Sequence, residues 1–353
     1  MTITAQFEVE LTRFIDSNGE PVAELPTIAS DRARLVEFYR WMVLTRTFDA
    51  KAIALQRTGR LGTYASSLGQ EAAGVGIALA MQDTDILLPG FREHGAQLVR
   101  GVAMKELFLY WGGDERGSDF AGPREDFPVS IPVGSHAAHG VGVALAFKLR
   151  AQARAAVVTF GDGATSKGDV YEAMNVAGAW KLPVIFLVIN NQWAISVPRT
   201  SQTAAETLAQ KAIAAGFDGL QVDGNDVVAV HETCSVALER ARSGGGATLI
   251  EALTYRLSDH TTADDASRYR DDNEVSRHWD EEPIVRLRRF LTQQHGWTKE
   301  EEETLLASCT KQVEQAAESY LAEPPAPASS VFDYLYEALP PTLEAQRAAV
   351  TGD

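Results

Sequence analysis

Only two cysteines occur in 353 residues, Cys234 and Cys309, and they form no CxxC pair. Neither a disulfide framework nor a zinc cluster is therefore expected. Cationic side chains are also scarce: 32 Lys and Arg stand against 48 Asp and Glu, a formal charge of −16. That balance argues against nucleic acid or an anionic membrane as partner and favours basic protein surfaces. No apolar run approaches the length of a membrane span. The first twenty residues carry Glu8, Glu10 and Asp16 among their apolar positions and little Arg or Ser, which fits neither a secretory signal nor a transit peptide. A reduced, cytoplasmic location is expected. Internal repeats and low-complexity segments are absent too. At 45% hydrophobic and 23% charged residues, the chain has the composition of an ordinary soluble protein of one or two domains.

What the chain does have is the stretch from Val157 to Ser196. Val157–Phe160 is rich in β-branched and aromatic residues and stops at Gly161-Asp162-Gly163, where the backbone can turn sharply and come close to a ligand. Thr165 and Ser166 are candidate N-caps, Asp169 and Glu172 suit the early turns of a helix, and Val170, Ala173, Met174 and Ala177 recur at helical spacing. Pro183 closes that helix, and Val184–Ile189 is an unbroken apolar run of the kind found in the middle of a parallel sheet. The pattern predicts a β-α-β unit, with Asp162 and Asn191 each just past a strand end, at the edge where open α/β folds bind ligands. Together they could face one hard cation, since Mg²⁺ takes carboxylate, amide and carbonyl oxygens, while the helix start offers N–H groups to a diphosphate. An ordinary β-α-β unit whose Asp and Asn cap turns has the same bare pattern.

The full string separates the two. Gly161-Asp162-Gly163, residues 164–189 and then Asn190-Asn191 resemble the thiamine-diphosphate motif. More narrowly, nearly the whole chain resembles the α subunit of the 2-oxo acid dehydrogenase decarboxylating component. The resemblance implies an α/β thiamine-diphosphate-binding fold, a parallel sheet flanked by helices, with extra N- and C-terminal helices. It also implies that Asp162, Asn191 and the carbonyl of Trp193 hold Mg²⁺, and that Gly163 and Ala164 belong to the cofactor site.

Residues 1–29, with Gly19, Pro21 and Pro26, read as an extended arm or a loose tail, 30–322 as the α/β domain and 323–353 as a C-terminal extension. Ser30-Asp31 can cap a long helix through Arg57 with Leu35, Phe38, Trp41, Met42 and Phe48 as its apolar stripe. A helix over Ala72–Met81 and a strand over Asp85–Leu88 lead to Phe91-Arg92. Arg92 is well shaped for bidentate phosphate contact, and the family places a Tyr-Arg pair on the diphosphate here, so Phe91 departs from it by lacking the phenol oxygen. Gly112–Phe127 reads as loop. Ile131 and Val133 offer main-chain atoms to the aminopyrimidine by resemblance. A helix follows over Ala137–Leu149, where His136 replaces the Gln of many relatives and the His136/His139 spacing suits packing better than a metal site.

Past the central stretch, Thr200–Ala215 reads as helix, Gly219–Gly224 as strand and turn, Val227–Arg242 as helix and Thr248–Tyr255 as strand. The Asp223–Asp226 cluster lacks the spacing of a calcium loop and reads as a turn. Arg256 and His260 then stand at a third strand end. By resemblance Arg256 meets the diphosphate and His260 lies by the thiazolium and the incoming lipoyl group, while Thr261 occupies the place of a regulatory serine. Pro283–Leu291 and Thr298–Leu321 read as helices, and Val331–Leu339 as a short last element.

Decarboxylating a 2-oxo acid needs an electron sink that side chains cannot provide, so thiamine diphosphate and Mg²⁺ are the implied cofactors, with His260 as the catalytic residue handling protons. The carboxylate that promotes the cofactor's imino tautomer comes, in this family, from a separate β subunit. The expected assembly is α2β2, inactive without β and working with a lipoyl-bearing acyltransferase. The strings GRLGTY, SLGQEA and TAAETLAQKAIAAG look most like bacterial pyruvate dehydrogenase α, whereas HTTADDASRYR is equally like the branched-chain (3-methyl-2-oxobutanoate) enzyme. Pyruvate is the expected substrate, the branched-chain acid the alternative, and a noncatalytic diphosphate-binding scaffold the remote one.

Overall fold

A computed structural model describes residues 2–333 and 335–352. In chain order, its elements begin with a strand β1 (Leu11–Thr12) and the helices α1 (Arg32–Arg57) and α2 (Glu71–Ala80), then β2 (Ile86–Leu88), α3 (His94–Val99), α4 (Met104–Trp111) and α5 (His136–Leu149). The central unit is β3 (Ala156–Gly161), α6 (Gly168–Ala179) and β4 (Val184–Asn190), followed by a small hairpin β5 (Trp193–Ala194) and β6 (Val197–Pro198). After it come α7 (Arg199–Gln202), α8 (Lys211–Ala214), β7 (Asp218–Asp223), α9 (Val227–Arg242) and β8 (Thr248–Leu253). The chain ends with α10 (Asp272–Trp279), α11 (Pro283–His295), α12 (Lys299–Leu321) and α13 (Pro341–Thr351).

Six strands form one parallel sheet in the order β1-β7-β8-β4-β3-β2, and helices cover it. Every residue of β4 is buried, as its apolar run requires at the centre of a sheet covered on both faces. One core layer packs α5 and α6 against β3 and β4, through Val158, Phe160, Met174 and Phe186. The opposite layer brings α2 and α9 onto Val157, Ile185, Leu187 and Ile250. A further core gathers α1, α11 and α12 around Leu35, Phe38, Met42, Phe48 and Phe290, beside the sheet. Asp31 caps α1 by accepting from the N–H groups of Ala33 and Arg34 (3.0 and 3.2 Å), while Thr298 and Glu301 close a capping box on α12. Among the described residues no helix is long and apolar enough to cross a membrane.

Four stretches differ from the sequence expectation. Thr200–Ala215 is not one helix: α7 and α8 are separated by irregular backbone at 203–210. The buried carboxylate of Glu251 captures the N–H groups of Leu208 and Ala209 (2.8 and 3.0 Å), a tertiary bond that overrides the helical propensity of the segment. Helices α3 and α4 were not anticipated between Arg92 and Gly112; Glu106 starts α4 by accepting from the N–H of Ala103 (2.9 Å), and Leu107, Phe108 and Leu109 bury its inner face. From Leu11 onward the N-terminal segment is not a loose tail but an arm fixed along the surface, with Leu11 and Val22 still exposed. Leu11–Thr12 adds the edge strand beside β7, and the Asp226 carboxylate accepts from the N–H groups of Phe14 and Ile15 (2.8 Å each), with Ile15 in the core. Finally, the expected element at Val331–Leu339 is a 3-10 turn at Ala328–Phe332 followed by irregular backbone at 335–340. Tyr334 lies outside the described residues. Regular structure resumes where Pro341, at a helix N1 position, starts α13.

Candidate functional site

Strands β2, β3, β4 and β8 all point their carboxyl ends the same way, and the turns after β2, β3 and β4 line a cavity of about 690 Å³. Asp162 enters it from the turn after β3 and Asn191 from the turn after β4. The two turns touch: a Cβ on Gly163 would sit 2.7 Å from the Cβ of Ala194, so only glycine allows this approach. The Asp162 carboxylate is 2% exposed, and burial raises its pKa above the ordinary carboxylate range. Its Oδ2 accepts from the Gln202 amide (2.7 Å), and among the described residues it makes no ion pair. Asn191 donates through Nδ2 to Gln70 Oε1 (2.9 Å) and accepts at Oδ1 from the Trp193 N–H (3.2 Å). Thr165 does not cap α6; its hydroxyl donates to the Asp162 carbonyl (2.7 Å), tightening the Gly161–Ser166 turn.

Across the cavity stand two guanidiniums. Arg92, in the turn after β2, is 7% exposed and donates to the carbonyls of Ser66 (2.6 Å) and His260 (2.9 Å). Arg256, just past β8 and fully buried, reaches the carbonyls of Trp193 (3.3 Å) and Ile195 (2.8 Å) and the Tyr269 hydroxyl (2.9 Å). Neither faces a carboxylate at ion-pair distance among the described residues. Burial, then the neighbouring Arg256, lowers Arg92 to about 10. Both guanidiniums approach His260 Nδ1 (3.2 and 3.4 Å), so that nitrogen must accept and the ring proton belongs on Nε2. Burial first, then the two arginines, push the His260 imidazole down to about 4, leaving it neutral near pH 7. Phe91 meets the His260 ring edge to face at 5.9 Å and lies beneath the Arg92 guanidinium at 5.3 Å.

Ile131 and Val133 border the cavity as exposed apolar residues, and Gly163 and Ala164 form its floor beside Asp162. All of the sequence-predicted site residues except Arg256 line this one space, and Arg256 closes it from behind through the Trp193 carbonyl. His136 and His139 do not converge: His136 Nε2 donates to the Thr159 carbonyl (2.8 Å), whereas His139 stacks on Phe127. Sequence reasoning missed Gln70, Gln202 and Glu93. Gln70 lies in the SLGQEA string and could have been suspected there; Gln202 was hidden by the mistaken long helix. Glu93 is a second buried carboxylate of the cavity, raised by burial and turned against Gly90, and its only signal was adjacency to Arg92.

The donor set decides what fits. Asp162, the Asn191 amide and the Trp193 carbonyl offer oxygen only, and a buried carboxylate without a cation is suited to a hard divalent ion. Two buried guanidiniums without carboxylates are suited to a diphosphate. A parallel α/β sheet with such a cavity at its carboxyl edge defines an α/β protein that binds its ligand at the strand ends. The chain belongs to the dehydrogenase E1 component family, whose model matches residues 39–329, and its relatives place it with the α subunits. It is 40% identical over 346 residues to the 3-methyl-2-oxobutanoate dehydrogenase subunit alpha of Mycobacterium tuberculosis (strain ATCC 25618 / H37Rv), covering 96% of this chain and 93% of that one. It is equally 40% identical over 338 residues to the pyruvate dehydrogenase E1 component subunit alpha of Bacillus subtilis (strain 168), covering 95% and 90%. The pyruvate dehydrogenase E1 component subunit alpha of Staphylococcus aureus (strain N315) is 38% identical over 344 residues, covering 97% and 92%.

Proposed function

We propose that this chain is the α subunit of a pyruvate dehydrogenase, decarboxylating pyruvate and passing the acyl group to lipoamide in an α2β2 assembly with a β subunit and a lipoyl-bearing acyltransferase. The observation that carries the reading is the gathering of uncompensated buried charges, Asp162 on one side and Arg92 with Arg256 on the other, in one cavity of cofactor size. Asp162, Asn191 and the Trp193 carbonyl would hold Mg²⁺. Arg92 and Arg256 would bind the diphosphate, and main-chain atoms at Ile131 and Val133 would meet the aminopyrimidine. Thiamine diphosphate, when bound, supplies the electron sink that decarboxylation requires.

The remaining work falls to the chain itself. Phe91, Ile131 and Val133 keep the mouth apolar and restrict water, which strengthens the charge interactions inside. His260, neutral with its proton on Nε2, is the group that can give or take a proton as the acyl unit leaves. The two free, buried cysteines suit a reducing cytoplasm. The branched-chain reading rests on relatives of both names at equal identity.

The test compares turnover of pyruvate and of 3-methyl-2-oxobutanoate by the chain alone and by the chain with its β partner. No turnover alone, and a higher kcat/KM for pyruvate in the assembly, is the expected result. Preference for the branched acid moves the assignment to the alternative; full activity of the lone chain overturns both.

A further inference from the structure

Strand β8 carries one charged residue, Glu251, in register with Val188 of β4 and Gln221 of β7, and it is fully buried. Four donors converge on its carboxylate. Oε1 accepts from Asn190 Nδ2 (2.6 Å), and Oε2 accepts from the N–H groups of Leu208 (2.8 Å) and Ala209 (3.0 Å) and from Gln221 Nε2 (3.1 Å). Among the described residues no ammonium or guanidinium pairs with it. A carboxylate buried on dipoles alone is costly relative to an apolar residue of the same size, so its presence calls for a role other than packing.

Each oxygen holds one wall of the cavity. With its Nδ2 fixed on Glu251, the Asn190 amide turns Oδ1 toward the N–H and Nε2 of Gln192 (3.2 and 3.1 Å). Gln192 has φ +72°, a left-handed conformation that is unfavourable for a non-glycine residue, and this bond helps to keep it there. Gln192 is the link between Asn191 and Trp193, both of which line the cavity. On the other oxygen, Leu208 and Ala209 begin the turn that delivers Lys211. Its Nζ donates to the Thr165 carbonyl and hydroxyl (2.9 Å each), and Thr165 in turn donates to the carbonyl of Asp162.

We propose that Glu251 is a positioning residue that sets the mutual placement of the metal-binding turns, through Asn190 on one side and Lys211 on the other. The inference rests on the metal role proposed above for Asp162, Asn191 and Trp193. Its test is titration of Mn²⁺, followed by electron paramagnetic resonance, into the chain assembled with its β partner and saturated with thiamine diphosphate. E251Q and N190D should each weaken Mn²⁺ by about 10–100-fold, the loss typical when the support of a ligand is removed. The double variant E251Q/N190D reverses donor and acceptor across the same pair at the same total charge, and should recover affinity to within about threefold of the parent. A residue that merely fills the core would not be rescued in this readout. Should E251Q fail to fold, N190D and the double variant carry the same comparison. Unchanged Mn²⁺ affinity in both single variants, or a loss the double variant does not restore, overturns the inference while leaving the metal site intact. Absence of Mn²⁺ binding by the parent assembly overturns the metal reading and the inference with it.

Discussion

The two ends of the same parallel strands treat buried charge in opposite ways. At the amino edge, Asp85 precedes β2 and is 1% exposed, as deeply buried as Asp162 beyond β3 at the carboxyl edge. Asp85 pairs with the guanidinium of Arg242 and accepts from the N–H groups of Gln82 (2.8 Å) and Ala155 (2.9 Å). Nearby, Arg100 pairs with Asp126 at 2.9 Å, both largely buried. At the carboxyl edge Asp162, Arg92 and Arg256 have amides, carbonyls and a hydroxyl for company and no opposite charge at ion-pair distance among the described residues. A charge buried with its counter-charge is part of the fold. A charge buried without one raises the free energy of the empty protein and is offset when a ligand of opposite sign arrives.

Removing each aspartate should therefore have effects of opposite kind, and these are the largest expected here. D85A leaves the largely buried Arg242 with only the exposed Glu239 carboxylate at 3.9 Å and should cost about 3–5 kcal/mol in a denaturant or thermal melt of the ligand-free chain. D162A should leave that melt unchanged or raise it, yet reduce turnover of the assembled enzyme on the order of 10³-fold. Equal stability losses in D85A and D162A would dissolve the contrast. The arginines extend it at a smaller scale. R92M should weaken thiamine diphosphate about 10–150-fold by calorimetry of the assembly with Mg²⁺, the equivalent of a charge-assisted hydrogen bond, with little change in melting. R242M should do the reverse. A cofactor affinity indifferent to R92M would remove Arg92 from the anion site.

The carboxyl edge was more legible in the sequence than the amino edge, for a physical reason. Strand ends there are punctuated by glycine and short polar strings, GDG, NNQW and RLSDH, that depart from the apolar period around them. Asp162, Asn191, Arg92, Arg256 and His260 could thus be placed at one edge as soon as the strands were taken as parallel. Ion pairs such as Asp85–Arg242 carry no such mark, because their partners meet only through the fold. The same holds for the supports of the site. Gln202 and Lys211 sit in a segment whose local sequence reads as helix, and the bonds from Leu208 and Ala209 to Glu251 that break this helix span more than forty positions. Leu11–Thr12 escaped for a similar reason, since two residues have no period of their own and become a strand only because β7 offers an unpaired edge.

His260 gives the smallest and most specific test. Its ring faces the guanidiniums of Arg92 and Arg256, and its backbone N–H donates to the carboxylate of Asp264 (2.9 Å). Its folded pKa of about 4 lies below the unfolded value of 6.5, so the folded chain binds fewer protons between those limits. Stability linked to this ring is thus fully present above pH 6.5 and is lost as pH falls toward 4. The H260N variant has no ring to titrate, so its stability relative to the parent should be flat above pH 7 and rise as pH drops through 6.5. The gain near pH 4.5 should be on the order of 1 kcal/mol after screening by water is allowed for. Acid slopes contributed by His231, held near 4 by its own burial, persist in both proteins and cancel in the difference. The carboxyl edge makes a second demand: a bound diphosphate would offset the charge of both arginines and raise the His260 pKa, so the difference between variant and parent should shrink when Mg²⁺ and thiamine diphosphate are present. Parallel stability curves for parent and H260N, with or without cofactor, would show that the uncompensated charge does not reach His260, and the contrast between the two edges would then be confined to Asp162 and the arginines.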